Sequence, residues 1–112
     1  MEVTLRLYEI LVPTIYGDTN KPISTKHHKE WDKVIRRISG GFTLLTPVKG
    51  QWVHEHNVYE ERVIPVRIMC NEKDIAKIIE FTLSHYRQKA VMWYVLSNEC
   101  RITYAKGEEA YS

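Results

Sequence analysis

Apolar residues recur with two different periods along this chain, and the changes of period divide it into strands and helices. From Val3 to Thr14 they alternate loosely among β-branched and aromatic residues, which predicts a strand. Val3, Leu5, Leu7, Glu9 and Leu11 fall on one face of it, Thr4, Arg6, Tyr8 and Ile10 on the other. Gly17, Asp18, Asn20 and Pro22 then cluster, so Ile15 to Pro22 reads as an exposed loop whose composition suits a mobile lid. From Ser24 or Thr25, either able to cap, apolar residues recur at Trp31, Val34, Ile35 and Ile38 until Gly40-Gly41 supplies a left-handed stop. That pattern is a helix. Phe42 to Val48, closed by Pro47 and Gly50, predicts a short second strand, followed by a turn region at Gly50-Gln51-Trp52 and a polar connection. Val58 to Cys70 is a long strand in which Ile64, Val66, Ile68 and Cys70 share a face, and Pro65 within it argues for an edge position or a bulge. Asn71-Glu72-Lys73-Asp74 opens a second helix, striped by Ile75, Ile78, Ile79, Thr82, Leu83 and Tyr86 and ending near Gln88. Ala90 to Leu96 is a nearly continuous apolar run, as in a strand covered on both faces. Arg101 to Ala105 is available for a short final strand before the polar tail Lys106 to Ser112.

The resulting order, βαββαβ, is the ferredoxin-like arrangement of an α+β domain: an antiparallel sheet with two helices on one face. The other face needs cover, because Trp93, Val95, Val63 and Met69 are expected to form an apolar patch on it. A closed homo-oligomer is the simplest remedy. A cyclic trimer packing three sheets around an axis makes three equivalent clefts between neighbours. Length points the same way. The 112 residues allow one domain, spanning 1–112, that buries only about two-thirds of its unfolded surface, so a site between subunits costs less stability than one cut into the core.

Sixteen Lys and Arg against fourteen Asp and Glu give a formal charge of +2, far from the strongly basic signature of a dedicated nucleic-acid binder. Cys70 and Cys100 form no CxxC pair and are too few for a disulfide scaffold, so both read as buried thiols of a reducing compartment. No apolar run approaches a membrane span, and Met1-Glu2-Val3-Thr4 enters a strand pattern instead of a leader pattern, so the protein is expected in the cytoplasm.

Several side chains could carry chemistry. Glu60 and Glu61 open the long strand, and adjacent strand residues point to opposite faces, so only one can face a given cleft. A carboxylate held there can bind an ammonium group; by spacing alone the pair can equally be two solvated charges beside Arg62. Gln88, where the second helix meets the last strand, carries an amide able to donate to and accept from a ligand, or to bond the free carbonyls of the helix end. Trp52 and Tyr59 flank the expected cleft and could hold a flat base or a cation, or simply pack across strands. His54-Glu55-His56 and His27-His28 have no third and fourth ligand at a recognisable spacing, so they read as solvated loop histidines and no metal is expected. Lys26, Lys29, Lys33, Arg36 and Arg37 form a basic helix face of the kind an amphipathic helix turns to solvent. No Walker A loop, GxGxxG, GxSxG or HExxH occurs.

Taken together, Tyr59-Glu60-Glu61-Arg62, Val66-Arg67, Cys70, the helix end at Gln88, Val91 to Tyr94 and Tyr104-Ala105-Lys106-Gly107 stand in an order and spacing that resembles the small bacteriophage S-adenosylmethionine lyases, long called hydrolases. The likeness covers about the last half of the chain, with an echo in the His-containing first helix and in Gly41-Phe42-Thr43. The same order of Gly-Gly-Phe-Thr, Gly-Gln-Trp, Glu and Gln also resembles a broader group of small bacterial proteins. The lyase resemblance implies a fold like that of nitrogen-regulatory PII proteins, a trimer, and substrate bound between subunits. It implies cleavage of S-adenosylmethionine to 5′-methylthioadenosine and homoserine lactone with no metal or added cofactor, in the infected host, where it depletes the methyl donor used by restriction systems. The substrate's own carboxylate attacks its γ-carbon and a neutral thioether leaves, so no general base is needed and the protein's task is geometric. The family glutamate falls on Glu60 or Glu61, with the implied role of gripping the ammonium and orienting the carboxylate. A carboxylate close to sulfur would stabilise the ground state, which places this one at the ammonium end. Two other classes remain open: a non-catalytic PII-like trimer that signals a bound nucleotide through the Ile15 to Pro22 loop, and an RNA-binding ferredoxin-like domain. The second lacks the aromatic signature of such domains on the central strands.

Overall fold

Strand β1, Val3–Pro13, is the spine of the molecule, pairing antiparallel on one side with β4, Asn57–Cys70, and on the other with β5, Trp93–Ile102. These strands are seen in a computed structural model that describes residues 3–108, without the side chains of Val3 and Thr4; the end of the expected tail, Glu109–Ser112, lies outside. Two further strands, β2, Thr43–Leu44, and β3, Val48–His54, pair with β4 on its far side. The sheet order is β2-β4-β1-β5, with β3 beside the N-terminal half of β4. Helices α1, Thr25–Ser39, and α2, Glu72–His85, complete the ferredoxin-like α+β arrangement.

The helix ends form as their residues dictate. Ser24 caps α1 by accepting the His27 N–H at 3.1 Å, and Gly40, at φ 85°, closes it by donating to Arg36 at 2.8 Å. Asn71 caps α2 by accepting the Asp74 N–H at 2.8 Å, with Glu72 and Asp74 acidic in the first turn. Tyr8, Ile10 and Val12 of β1 and Val66, Ile68 and Cys70 of β4 meet Trp31 and Ile35 of α1 and Ile75 and Ile78 of α2 in one core. Each such apolar side chain contributes about 1.5–3 kcal/mol by leaving water. Between the helices, Trp31 Nε1 donates to Thr82 Oγ1 at 2.9 Å and Thr82 donates on to Ile78 O at 2.6 Å, so these two buried polar side chains are satisfied. Burial pushes the Cys70 thiol up to about 11, as befits an inert core residue, whereas Cys100 is half-buried, not buried as expected.

The second half of the chain departs from the predicted strands in several places. The segment Phe42 to Val48 is not one strand: Leu45-Thr46-Pro47 interrupts the ladder, leaving the two-residue β2 and a separate β3. Gly50-Gln51-Trp52 is strand, not turn, because pairing with β4 supplies the ladder that the glycine alone would weaken. The reversal occurs instead at Glu55-His56, both left-handed at φ 50° and 67°, a pair without the Gly that normally announces such a turn. Ala90 to Leu96 and Arg101 to Ala105 are replaced by the single strand β5, which lies at the sheet edge and is not covered on both faces.

Pro65 sits in a central strand and not at an edge. Leu11, its partner on β1, donates its N–H to Met92 of the other neighbour at 3.0 Å, so the Leu11–Pro65 pair carries no hydrogen bond. Pro65 turns its backbone toward the β2–β3 side, where its carbonyl accepts from Leu45 at 3.0 Å and its missing N–H falls in the break between those strands.

The expected apolar patch divides between the two faces. Val63 and Met69 lie on the helix-free face with Leu7 and Leu11, around a buried Glu9 that takes the Arg67 Nε–H at 3.1 Å and the Tyr94 hydroxyl. Trp93 and Val95 stand opposite Ile10 and Tyr8 on the helix side, and stay about 40% exposed (42% and 40%) because β5 lies at the edge. Among the described residues no helix is long and apolar enough to cross a membrane.

Candidate functional site

The β3–β4 hairpin continues past the last β1 pair, Pro13 with Val63, and gives the molecule its long dimension of 55 Å against 29 and 25 Å. Strand alternation then sorts its residues. Tyr59, Glu61 and Val63 share a face with Trp52, Gly50 and Val48, their partners in register, while Glu60 and Arg62 share the opposite face with Gln51 and Lys49. The Tyr59 face looks across a cleft of about 650 Å³ toward the loop after β1 and the segment joining α2 to β5. That volume suits a small-molecule ligand.

Leu11, Pro13 and Val63 give the cleft an apolar floor. Glu61 is half-buried in its wall, and burial alone raises its pKa above the ordinary carboxylate range. No hydrogen bond or ion pair to it exists among the described residues. Glu60 borders the same rim but engages its carboxylate elsewhere, accepting from Gln51 Nε2 at 2.5 Å and pairing with Lys49 Nζ at 3.3 Å. The two adjacent glutamates are thus told apart by register: one satisfied at the surface, the other facing the cleft without a counterion. Trp52 and Tyr59 stack on each other with 5.8 Å between centroids and 19° between planes, yet keep 47% and 43% of their surface open beside Glu61. Cross-strand packing and an available aromatic face are both realised.

The opposite wall is fixed by the end of α2. Arg87 N–H donates to Ser84 O at 3.3 Å and Gln88 N–H to Leu83 O at 2.9 Å, a Schellman closure that holds Arg87, a non-glycine residue, at φ 52°. Arg87 is secured there by Asp18 at 3.2 Å and by lying 4.3 Å over the Tyr16 ring. Gln88 lines the cleft and donates its side-chain N–H to Ile15 O at 3.0 Å, leaving its carbonyl oxygen as an acceptor. Gly17 completes the joint: a Cβ there would stand 2.3 Å from Arg87 O, so only glycine allows this approach.

Ile15 to Pro22, the loop whose composition suits a mobile lid, is held at several points. A bridge between Ile15 and Pro22, the Tyr16 to Lys21 bond at 2.9 Å and the Ile23 to Thr14 bond at 3.0 Å tie it into a closed loop against the cleft. Gly17 and Asn20, which the sequence marks only as loop, and Met92, which it marks only as part of an apolar run, join the lining because loop and helix end meet in space.

Of the predicted site residues, Glu61, Gln88, Tyr59 and Trp52 therefore converge on the cleft, and Glu60 borders it with its carboxylate engaged by Gln51 and Lys49. Tyr104 to Gly107, part of the family pattern, lie beyond β5 in a turn and do not line the cleft. His54 and His56 are exposed at the hairpin tip, as expected of solvated histidines. His27 and His28 are not loop residues: they occupy the first turn of α1 and are half-buried, with His28 Nδ1 2.8 Å from the Tyr86 hydroxyl and burial lowering the His28 pKa. The basic residues of α1 are exposed on its outer face.

No family model and no curated protein matches the chain. Its fold is that of solved PII-like and CutA proteins. CutA1 from Oryza sativa matches with a TM-score of 0.61 at 10% identity, covering 92% of this chain and 84% of that one. A phage S-adenosylmethionine lyase in complex with S-methyl-5′-thioadenosine matches with a TM-score of 0.60 at 13% identity, covering 88% of each chain. A nitrogen-regulatory PII-like protein from Thiomonas intermedia, bound to ADP, AMP and bicarbonate, matches with a TM-score of 0.58 at 12% identity, covering 94% and 99%. At these identities the likeness is one of fold.

Proposed function

We propose that the cleft binds S-adenosylmethionine and that the chain, as a trimer, is an S-adenosylmethionine lyase. The observation that carries this reading is Glu61, a half-buried carboxylate without a partner among the described residues, set beside an open aromatic pair on a fold that a phage lyase shares. A carboxylate in that setting favours a cation of small size, and the substrate's ammonium group supplies one. The flat faces of Trp52 and Tyr59 suit the adenine or the sulfonium, and the free carbonyl oxygen of Gln88 accepts from a second donor. A neighbouring subunit of the trimer would complete the cleft.

The chemistry needs no protein nucleophile. Glu61 holds the ammonium, which bends the methionine part so that the substrate's carboxylate oxygen reaches its own γ-carbon. That C–O bond forms as the C–S bond breaks, the electron pair stays on sulfur, and methylthioadenosine and homoserine lactone leave. No proton is transferred. Such an enzyme would act in the cytoplasm of a host whose methyl donor it removes. The test is incubation of purified protein with S-adenosylmethionine and chromatography for both products; absence of product at high enzyme concentration overturns the reading. Stabilisation by adenine nucleotides without turnover would favour a non-catalytic nucleotide sensor, the reading that the likeness to the Thiomonas protein supports.

A further inference from the structure

The first turn of α1 and the last turn of α2 meet in a cluster that lies outside the cleft. His27 Nε2 stands 2.8 Å from the backbone oxygen of His85, and His85 Nε2 stands 2.8 Å from the backbone oxygen of His27. A carbonyl only accepts, so each imidazole carries a proton on Nε2 and donates it to the other residue's backbone. In the neutral rings this leaves Nδ1 of both as the open position. His27 Nδ1 faces a Glu30 carboxylate oxygen at 3.3 Å, and one donor atom from each of His27, Glu30 and His85 lies within 4.8 Å of the others. A lone pair and a carboxylate oxygen repel across such a gap unless a cation stands between them. The reciprocal Nε2–H bonds are the kind of outer-shell contact that fixes tautomer and ring orientation in metal sites.

We propose that His27, Glu30 and His85 form a binding site for a divalent transition-metal ion such as zinc, held by one ring nitrogen of each histidine and a Glu30 oxygen, with the remaining position open to water. Tetrahedral ligands at zinc distances stand roughly 3.3–3.5 Å apart, so side-chain rotations are needed to close the set. The two rings now stack at 3.7 Å and 8°, and ligation fans them about their Nε2 hydrogen bonds. A metal here cross-links α1 to α2 close to the cleft wall: the Tyr16 ring, which carries Arg87 on its face, meets His27 edge-on at 5.3 Å.

The experiment is a calorimetric titration of untagged, metal-stripped protein with zinc chloride near neutral pH, repeated with cobalt to record the visible spectrum of a tetrahedral nitrogen and oxygen site. One zinc per chain is expected, with Glu30→Gln weakening it roughly tenfold or more and a doubly substituted His54→Gln, His56→Gln protein binding as the parent does. Glu30 is half-exposed, so its substitution leaves the fold intact, which circular dichroism verifies. Binding that survives Glu30→Gln, or that vanishes with His54 and His56, overturns the proposal. So does a failure to bind either zinc or cobalt.

Discussion

The two halves of β4 belong to one strand and live in different physical worlds. From Ile64 to Cys70 the strand runs beside β1 under both helices, and Val66 and Ile68 are fully buried. From Asn57 to Arg62 it pairs only with β3, and every residue except Glu61 is exposed. The first half is held by apolar burial, which is tolerant of sequence as long as volume is kept. The second half is held by backbone pairing and a few side-chain contacts, which leaves its side chains free to serve a ligand. Stability and candidate chemistry are thereby divided along a single strand, and the half-buried Glu61 stands at the boundary.

Substitutions on either side of that boundary should separate the two. Ile68→Ala, in the covered half, should destabilise by about 2–5 kcal/mol, lowering the melting temperature by roughly 10–30 °C, while Val58→Ala, 66% exposed in the hairpin, should cost less than about 0.5 kcal/mol. Thermal denaturation reads both, and equal losses would show that the hairpin shares the core's burden. On activity the ranking reverses. Glu61→Gln should lower product formation by roughly 10- to 150-fold, the loss of a charge-assisted contact worth about 1.5–3 kcal/mol, whereas Glu60→Gln should stay within a few-fold of the parent. Comparable losses from both would erase the distinction drawn from register.

The wall opposite the hairpin offers a smaller effect. Gly17→Ala places a Cβ against Arg87 O and should cost about 1–3 kcal/mol through overpacking, while hydrogen exchange quickens in Ile15 to Pro22 ahead of the core. Exchange unchanged in that loop would mean the joint adapts. The smallest effect concerns pH. Burial raises the folded-state pKa of Glu61, so the folded protein holds that proton more tightly than the unfolded chain, and ionisation costs stability as pH rises through the shifted value. Glu61→Gln should therefore melt above the parent near neutral pH, and the gap should close as pH falls below the ordinary value of 4.5. A gap independent of pH would place the carboxylate in water.

The features legible beforehand were those that depend on near neighbours in the chain. Ser24, Gly40 and Asn71 announce helix ends because caps act within four residues, and the stripe Ile75, Ile78, Thr82 announces a buried face because its period is that of the helix. The hairpin turn was illegible since Glu55 and His56 carry none of the usual residues for left-handed backbone, and Gly50 misled because its strand role comes from β4. The face taken by Trp93 and Val95 is not legible either, because a register shift between Leu7 and Tyr8 moves β5 relative to β1, and no local pattern in β5 reports it.

By itself, then, the sequence determined the elements, their approximate order, the helix-covered core and a short set of side chains able to carry chemistry. Only the tertiary structure decided that Glu60 is engaged by Gln51 and Lys49 while Glu61 lines the cleft without such a partner, that Gln88 and Gly17 pin the Ile15 to Pro22 loop, and that His27 and His85, 58 residues apart, exchange hydrogen bonds beside Glu30. Periodicity reports which residues leave water, and local chemistry reports where the chain turns. Which distant groups come to share a few ångströms is set by strand register and helix packing, and those are properties of the whole fold.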